Sequence, residues 1–456
     1  MTTVKTSLTE NQLPHGDQAP APLQLFKWIA QPFAYLEECS QKYGDIFTMR
    51  LFGFPPLVFI SNPQGIKQIF SADAQCFDVA QTNDLARPIL GDNSLLLMDG
   101  NRHKRERKLL MPPFHGEKVK SYCSSICEIT ETVASRWEIN QPFIARDATQ
   151  EITLKVIMQT VFGLSEGARH EQLRSLLADW IEITASPARS SFIFLKFLQV
   201  DLGAWSPWGN FIRTKQKIDD LLQAEIEERR AKPEQLGNDI LSLMLSVVDE
   251  DGQPISDDQL KDELITLLFA GHETTATALA WAFYWLTKLP EVKEKLLQEI
   301  DSLGKNPDPL EISRLTYLTA VCQETLRLYP IVPIAMGRLA KQDIEIMGRK
   351  FKAGTTFVPC IYSTHHQEDL YPNSQQFRPE RFLERQYTPY EFLPFGGGVR
   401  LCLGYALAML EMKLVIASIV SKYNLELADN KPIKPMRRGG TITPSNGVPL
   451  VVTGFR

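Results

Sequence analysis

The sequence predicts a mainly α-helical protein with small β-sheets, an α+β fold in one large domain. Helical periodicity dominates from about residue 101 to 330, and strand-like runs lie near the two ends, at 43–61 and 344–359. No linker rich in Pro, Gly or Ser divides the 456 residues, so a single domain is the simplest arrangement. We therefore expect one domain over 23–456, preceded by a loosely ordered N-terminal extension at 1–22.

Taken in order, the elements outside the central helical region each have their own signal. The segment 23–43 looks helical, and the β-branched and aromatic residues of 43–61 predict a hairpin. The strand-like runs of 344–359 are broken by glycines, as short strands joined by turns would be. A final helix is predicted at about 403–423, and the tail after it is typical of short strands with many turns.

The composition excludes several classes of protein. Hydrophobic residues make up 44% of the chain and charged residues 23%, proportions that rule out a disordered or fibrous protein. Lys and Arg total 49 against 54 Asp and Glu, a net charge of −5, so we expect no nucleic-acid partner. Seven cysteines, an odd number, exclude a fully paired disulfide framework and favour a reducing compartment such as the cytoplasm.

No targeting signal and no integral membrane span are expected. The first 22 residues are polar and contain proline, without the apolar core of a signal peptide. The apolar stretch between Glu263 and Lys288 is long enough to cross a bilayer. His272 and Glu273 lie near its middle, however, and a carboxylate is costly inside a membrane. We therefore predict a buried helix of the protein core.

This predicted helix has clear ends and an unusual centre. Ser256 followed by Gln259 fits an N-terminal capping box, and Pro290 marks the far end, which gives about 33 residues and a length of about 50 Å. Gly271 costs such a helix about 1 kcal/mol relative to alanine and opens a groove beside Thr274. Taken alone, the segment favours a packing role for the glycine, with the threonine hydroxyl bonded to the preceding turn.

One cysteine stands in the most distinctive segment, 392–413. Three glycines at 396–398 precede Cys402, and an apolar helix follows it, so the helix N-terminus and Arg400 favour an anionic thiolate. Such a thiolate serves as a nucleophile, a redox thiol or a metal ligand. The first use needs a nearby His base and the second a C-x-x-C neighbour, and this segment has neither. A buried inert cysteine would not account for the glycines, the arginine and the helix start together.

Four motifs carry a resemblance to a known family. Phe395, Gly398, Arg400, Cys402 and Gly404 match F-x-x-G-x-R-x-C-x-G, and AGHETT (270–275), ETLR (324–327) and FRPERF (377–382) accompany them. In sequence and order these motifs resemble the cytochrome P-450 enzymes over nearly the whole chain. The resemblance implies a haem-thiolate monooxygenase domain at 23–456, folded as a triangular helical lobe with a small β lobe.

The resemblance also implies the cofactors and the reacting residues. Haem b, O2 and electrons from NAD(P)H would insert one oxygen atom into a hydrophobic substrate, with Cys402 as the axial ligand of the haem iron. Glu273 and Thr274 resemble the acid–alcohol pair that delivers protons. The residues implied to bind the cofactor are His103, Arg107, Ala270, Gly271, Arg338, Phe395, Arg400 and Gly404. The commoner residue at position 103 in the family is tryptophan, but histidine can also donate to a carboxylate.

A structural triad is implied at a distance from the reacting residues. By their i,i+3 spacing alone, Glu324 and Arg327 predict an exposed ion pair worth a few tenths of a kcal/mol. The resemblance instead joins this pair to Arg381 in a buried triad that supports the cysteine side of the haem.

The electrons would come from a separate protein, since the sequence contains neither a flavin reductase nor a ferredoxin-type cysteine run. Residues three and four apart share one side of a helix, so His103 and Arg107 can face inward while other basic residues face outward. Those outward residues are Arg102, Lys104, Arg105 and Lys108. We expect them to help dock an acidic ferredoxin or flavodoxin, which works with its own reductase.

The substrate is expected to be a small hydrophobic molecule. The positions that correspond to the family's substrate-recognition segments are uncharged and include Leu267, Val332, Ile334 and Ile442. The overall pattern is similar to bacterial fatty-acid hydroxylases, which makes a long-chain fatty acid the first hypothesis. No Lys or Arg lies at 51–59, where some of those enzymes bind the carboxylate, so a terpenoid or another neutral lipid stays open. The aromatic segment 187–212 is either core or an entrance cover with a peripheral membrane contact.

Two other classes of function compete with a monooxygenase. The first is a haem protein that binds or senses without turnover; the complete pair of Glu273 and Thr274 favours chemistry over this. The second is a zinc enzyme. His365–His366 and Cys123 with Cys127 lack the spacings of a closed zinc site, and we interpret them as surface histidines and core cysteines.

Overall fold

The computed structural model describes residues 13–163, 167–185, 199–203, 205–248 and 252–456. The α-helices over these ranges are α1 (Ala21–Ala30), α2 (Pro32–Tyr43), α3 (Pro63–Ser71), α4 (Arg87–Leu90), α5 (Gly100–Leu110), α6 (Glu117–Ser121), α7 (Cys123–Ala134), α8 (Ala145–Phe162), α9 (Ala168–Ala185), α10 (Pro207–Ala231), α11 (Ile240–Ser246), α12 (Asp257–Lys288), α13 (Pro290–Asp301), α14 (Pro309–Ile312), α15 (Thr316–Leu328), α16 (Ile361–His365), α17 (Arg381–Glu384) and α18 (Tyr405–Val420). The mainly helical prediction is confirmed.

Twelve short strands accompany these helices in the described ranges. They are β1 (Ile46–Met49), β2 (Leu57–Ile60), β3 (Phe77–Asp78), β4 (Pro142–Ile144), β5 (Arg338–Ala340), β6 (Ile344–Ile346), β7 (Arg349–Phe351), β8 (Thr356–Pro359), β9 (Tyr423–Leu427), β10 (Pro435–Arg438), β11 (Thr441–Pro444) and β12 (Pro449–Phe455). Strands from both ends of the chain form a five-stranded sheet in the order β1-β2-β8-β5-β3, in which β2 and β8 are parallel. The predicted hairpin at 43–61 is its first pair, with Phe47 opposite Phe59.

The N-terminal extension is partly built into this sheet. Thr48 on β1 donates its hydroxyl to the Pro14 carbonyl at 2.7 Å and its N–H to the His15 carbonyl at 3.2 Å. A Cβ on Gly16 would lie 1.8 Å from the Thr48 carbonyl oxygen, so this close pairing needs glycine. The loosely ordered extension predicted at 1–22 is therefore wrong for residues 13–22, and residues 1–12 lie outside the described ranges.

The long helix α12 crosses the core as the sequence predicts. The Ser256 hydroxyl accepts the Gln259 N–H at 3.3 Å, which caps the first turn, and the helix ends two residues before Pro290. Every residue from 275 to 283 is buried, and a helix that is apolar all round belongs inside a core. In the described ranges we find no helix with the length and apolar character that a membrane crossing requires.

Helix α8 packs along α12 and explains the central glycine. A Cβ on Gly271 would lie 2.8 Å from the Ile157 side chain, tighter than packed atoms tolerate. Beyond this contact, toward the C-terminal end of α12, Thr153 and Thr149 of α8 donate their hydroxyls to the carbonyls of His272 and Ala276, at 3.0 and 2.9 Å. Gly271 is thus a packing glycine, as the segment alone favours.

Candidate functional site

The loop before Cys402 is shaped by its glycines. Gly398 has a φ of +62°, and a Cβ there would lie 2.5 Å from the Phe70 carbonyl oxygen at the end of α3. A Cβ on Gly397 would lie 2.4 Å from the Phe70 ring. The loop then closes with a hydrogen bond of 3.0 Å from the Cys402 N–H to the Phe395 carbonyl. Only glycine fits this path, which ends with Cys402 ahead of the first turn of α18.

Protein surrounds most of the Cys402 side chain. It has solvent-accessible surface, yet burial in the surrounding protein raises the pKa of its thiol, while the Gly404 N–H and the Arg107 charge lower it. The thiol can therefore be reached by a bound group, although the surrounding protein keeps water away from much of it. The sequence predicts Arg400 as the cation acting on the thiol, but the structure gives that effect to Arg107. A bound metal ion deprotonates such a thiol outright.

One face of α12 keeps solvent-accessible surface although the helix crosses the core. Leu267 and Thr274 are half-buried and Ala270 is exposed, at the i, i+3 and i+7 spacing of one helix face. Val332 is 39% exposed and Ile334 is half-buried in the segment before β5. These uncharged residues are therefore available to line a cavity.

The predicted pocket residue Ile442 differs from these. It is 1% exposed and packs with Trp28 and Phe59 in a separate apolar cluster, so its side chain adds no surface to a cavity. Its position there is fixed by its backbone, which bonds to the Ile331 carbonyl at 2.8 Å and accepts the Trp281 indole N–H at 3.2 Å.

The adjacent residues Glu273 and Thr274 face different neighbours. Thr274 donates its hydroxyl to the Ala270 carbonyl at 2.7 Å, the back-bonding that the segment alone favours. The Glu273 carboxylate accepts hydrogen bonds from Arg146 and, at 3.1 Å, from Gln150, both on α8. Arg438 Nε lies 4.0 Å away from the same carboxylate. The two predicted catalytic groups are neighbours in the chain but are not hydrogen-bonded to each other.

Four predicted cofactor-binding residues lie together as a basic cluster, defined here as His103, Arg107, Arg338 and Arg400. Burial lowers the pKa of His103 to about 4, and the charges of Arg400 and Arg107 add to this effect. Burial also lowers the pKa of Arg338 to about 10, with a further contribution from Arg400. A neutral His103 still has one ring N–H to donate.

This basic cluster has more positive charge than its neighbours neutralise. Arg400 donates one hydrogen bond to Asp99, whereas Arg338 bonds to the carbonyls of its own loop. Arg107 has no carboxylate partner in the described ranges. The remaining acid, Asp78, has a raised pKa because it is buried beside Asp99. Unneutralised charge is costly in a protein interior. Two haem propionates would neutralise it, so these residues fit the cofactor that the sequence predicts.

The structural triad is as buried as the resemblance implies. Arg327 binds Glu324 through two hydrogen bonds of 2.7 and 2.9 Å, and Arg381 donates to the same carboxylate at 3.0 Å. All three side chains are 0–1% exposed. The exposed ion pair that the spacing alone predicts is therefore wrong, because the carbonyls of His365 and Ser374 close over the arginine.

The histidine pair beside the triad is not at the surface, contrary to our prediction. His365 is 0% exposed, accepts the Leu393 N–H at 3.0 Å and stacks on Phe392. Burial lowers the pKa of His366 to about 3. Cys123 is a core residue as predicted, and Cys127 is half-buried. Across the described ranges, no group of three or more His, Cys, Asp or Glu residues could hold a metal ion.

The two sides of α5 separate as predicted. Arg102, Lys104, Arg105 and Lys108 are exposed, while His103 is buried. Sequence reasoning missed Glu106, which is buried on the inward side and accepts a hydrogen bond from Gln259 of α12. It also missed Arg146 and Asp99, the partners of Glu273 and Arg400. A charged residue on the buried side of α8 was the available signal for Arg146; nothing local indicated Asp99.

Comparisons with known proteins agree on one family. The sequence model described as "Cytochrome P450" matches residues 14–451. Cytochrome P450 135B1 of Mycobacterium tuberculosis is 33% identical over 449 residues, which cover 97% of this chain and 92% of the relative. Cytochrome P450 135A1 of the same species is 32% identical over 444 residues, 96% of this chain and 94% of the relative. These names state no substrate.

Two solved structures resemble the fold closely. The retinoic acid-bound cyanobacterial CYP120A1 has a TM-score of 0.84 and 26% identity, covering 97% of this chain and 99% of that one. The cytochrome P450DA haem domain has a TM-score of 0.83 at 23% identity, with 97% and 98% covered, and supports the fold alone.

Proposed function

The chain belongs to the cytochrome P450 family and is a haem-dependent monooxygenase, and from this premise we propose that it hydroxylates a long-chain fatty acid. The observation that carries the proposal is that Leu267 and Ala270 of α12, with Val332 and Ile334 before β5, are uncharged and keep accessible surface. CYP120A1 binds retinoic acid, which is also a long apolar skeleton ending in a carboxylate. Family membership argues against the alternative of a haem sensor without turnover.

In this proposal the haem is held by residues from three parts of the chain. The Cys402 thiolate would bind the haem iron, and the basic cluster of His103, Arg107, Arg338 and Arg400 would bind the propionates. Phe395, Gly404, Ala270 and Gly271 contribute to the cofactor-binding walls, Gly271 by letting α8 and α12 approach each other. When bound, the haem supplies the chemistry of oxygen activation and insertion.

The chain's own part in that chemistry is proton delivery. The Thr274 hydroxyl holds a proton at Oγ1, now directed to the Ala270 carbonyl, and threonine in a helix has two accessible χ1 rotamers. In the second rotamer the hydroxyl no longer points at the Ala270 carbonyl, and we propose that it then points toward the bound substrate and cofactor. Glu273 can pass protons only when its carboxylate leaves Arg146 and Gln150. The ion pair with Arg146 therefore stores the acid outside the cavity between proton transfers.

The Thr274→Ala variant should separate electron use from product formation. Proton delivery by a positioned side chain contributes about 10²–10⁴-fold to a rate, so product formed per NAD(P)H should fall by about 10-fold or more while hydrogen peroxide accumulates. The measurement is the ratio of hydroxylated product and peroxide to NAD(P)H consumed. Thr275→Ala is the matched control, since Thr275 is buried and donates to the Gly271 carbonyl. Unchanged coupling in Thr274→Ala would remove Thr274 from this role.

Spectral titration and turnover with a lipid panel test the substrate class. Purified holoenzyme is titrated with fatty acids, fatty alcohols and terpenoids while the spectrum reports loss of the water ligand of the ferric iron. Binding and hydroxylation of long-chain fatty acids would support the proposal. Turnover of terpenoids alone would overturn it in favour of the second candidate, which the isoprenoid skeleton of retinoic acid favours.

The redox partner in this proposal is an acidic ferredoxin or flavodoxin with its NAD(P)H-dependent reductase. The exposed positions of Arg102, Lys104, Arg105 and Lys108 on α5 support it, because the same helix carries His103 and Arg107 of the basic cluster. Attraction between exposed charges is screened by salt, so the reduction rate should fall as ionic strength rises. A rate that ignores ionic strength would contradict this docking surface.

A further inference from the structure

A second arginine site lies far in the chain from the basic cluster. Arg437 is on β10, and its guanidinium donates to the carbonyls of Gly439 at 3.1 Å and Trp28 at 3.4 Å. Arginine has five N–H donors, so the fork has unused donors. No carboxylate partner of Arg437 occurs in the described ranges, and no acidic group is among the influences on its pKa. Arg437 is thus a cation without a counter-charge.

The surroundings of Arg437 resemble those of Cys402 in one respect. Its side chain is half-exposed, yet burial alone lowers its pKa. The guanidinium carbon lies 5.4 Å from the centre of the Trp28 ring on α1, a cation–π contact that fixes its orientation. The guanidinium thus keeps accessible surface while the surrounding protein displaces part of its water, which strengthens its attraction for an anion.

The hairpin β10–β11 connects Arg437 to the candidate active site. Successive side chains of a strand point to opposite faces, and Arg438, the next residue, lies 4.0 Å from Glu273 of α12. Arg437 lies opposite Ile442 on β11, and the Ile442 N–H bonds to the carbonyl of Ile331 at 2.8 Å. Ile331 directly precedes the exposed Val332. The hairpin therefore separates Arg437 from the acid–alcohol pair and joins it to the apolar wall.

We propose that Arg437 binds the carboxylate of the substrate and holds its apolar chain against the wall that leads to Thr274. The planar fork of arginine suits a carboxylate, which accepts two parallel hydrogen bonds. Leu25, Leu57 and Ile334 are half-buried at the edge of the apolar cluster that contains Trp28, and their accessible surface suits the chain. The inference rests on the proposed function and specifies that the substrate is an acid, oxidised away from its carboxylate. Residues 51–59 contain no Lys or Arg, so in this proposal the carboxylate is bound by Arg437, near the C-terminal end of the chain.

The test compares an acid with its neutral analogue on three variants of the holoenzyme. Equilibrium binding of palmitate and hexadecanol is measured by calorimetry and by the ferric spectrum for wild type, Arg437→Gln and Arg437→Lys. Arg437→Gln should weaken palmitate binding by roughly 10-fold or more and leave hexadecanol within about 2-fold, because a charge-assisted hydrogen bond to a sheltered partner is lost. Arg437→Lys should restore part of the affinity for the acid. Lys434→Gln removes an exposed charge three residues earlier and is the matched control.

The other possible results contradict either the carboxylate site or the proposed function. If Arg437→Gln weakens both ligands equally or neither, Arg437 is not the carboxylate site, while hydroxylation of palmitate by wild type keeps the proposed function. If Lys434→Gln weakens palmitate as much as Arg437→Gln, the effect is general attraction and not a site. If wild type binds palmitate no more tightly than hexadecanol, the carboxylate is not recognised, and absence of turnover of both overturns the proposed function as well.

Discussion

Replacing Cys402 with histidine should abolish hydroxylation while the protein still folds. The thiolate donates electron density to the iron in a way that a neutral imidazole does not. Mutation of a residue that only hydrogen-bonds to a metal ligand already lowers activity or metal affinity by about 10–100-fold. Loss of the ligand itself should therefore lower product formation by more than about 100-fold. The measurements are the product rate, the haem content and the far-ultraviolet circular dichroism of the purified variant.

Cys76→Ser is the matched control for this change. Cys76 is a half-buried cysteine directly before β3, and we assign it no part in the site. Its variant should keep wild-type activity and spectrum. Hydroxylation at the normal rate by Cys402→His would refute the ligand assignment, whatever the haem content of the variant.

The second large effect is expected from Glu324→Gln and acts on stability. The Glu324 carboxylate is 0% exposed and accepts hydrogen bonds from Arg327, Arg381 and the Arg378 N–H. Removing one partner of a buried ion pair leaves uncompensated charge and costs about 3–5 kcal/mol, here for two arginines. We expect the free energy of unfolding, measured by urea titration, to fall by that amount, with a lower midpoint, and the haem to be retained poorly on purification.

An exposed ion pair close to the triad gives the control. Arg378 and Glu384 form a pair at 2.8 Å with side chains 44% and 55% exposed. Pairs of this kind contribute about 0–1 kcal/mol, so Glu384→Gln should leave the unfolding midpoint nearly unchanged. A free energy of unfolding for Glu324→Gln within about 1 kcal/mol of wild type would mean that the buried pair does not support the fold.

The features predicted well from sequence have local causes. Helix α12 begins after Ser256 because the serine side chain caps its own first turn, and the loop before Cys402 needs glycines that the sequence shows directly. The division of α5 into an exposed basic side and a buried side is confirmed for the same reason, because it follows from helix geometry alone.

The features missed depend on contacts between distant segments. His365 looks like a surface residue until the Leu393 N–H, from a loop 28 residues later, is seen to bind it. Ile442 has the composition of a pocket residue, but β11 turns its side chain toward α1. Arg437 belongs to no motif, and its contact with Trp28, 409 residues earlier in the chain, is visible only in the folded structure. Local patterns do not specify which distant residue completes a site.

Whether Cys402 presents its sulfur as the ligand of a haem iron can be tested with one spectrum. Purified protein is reduced with dithionite and exposed to carbon monoxide, and the difference spectrum is recorded. The account predicts a coloured protein with the strongly red-shifted Soret band of a thiolate-ligated haem, absent in Cys402→His. A colourless protein, or a Soret band at the position of histidine-ligated haem in the wild type, would contradict it.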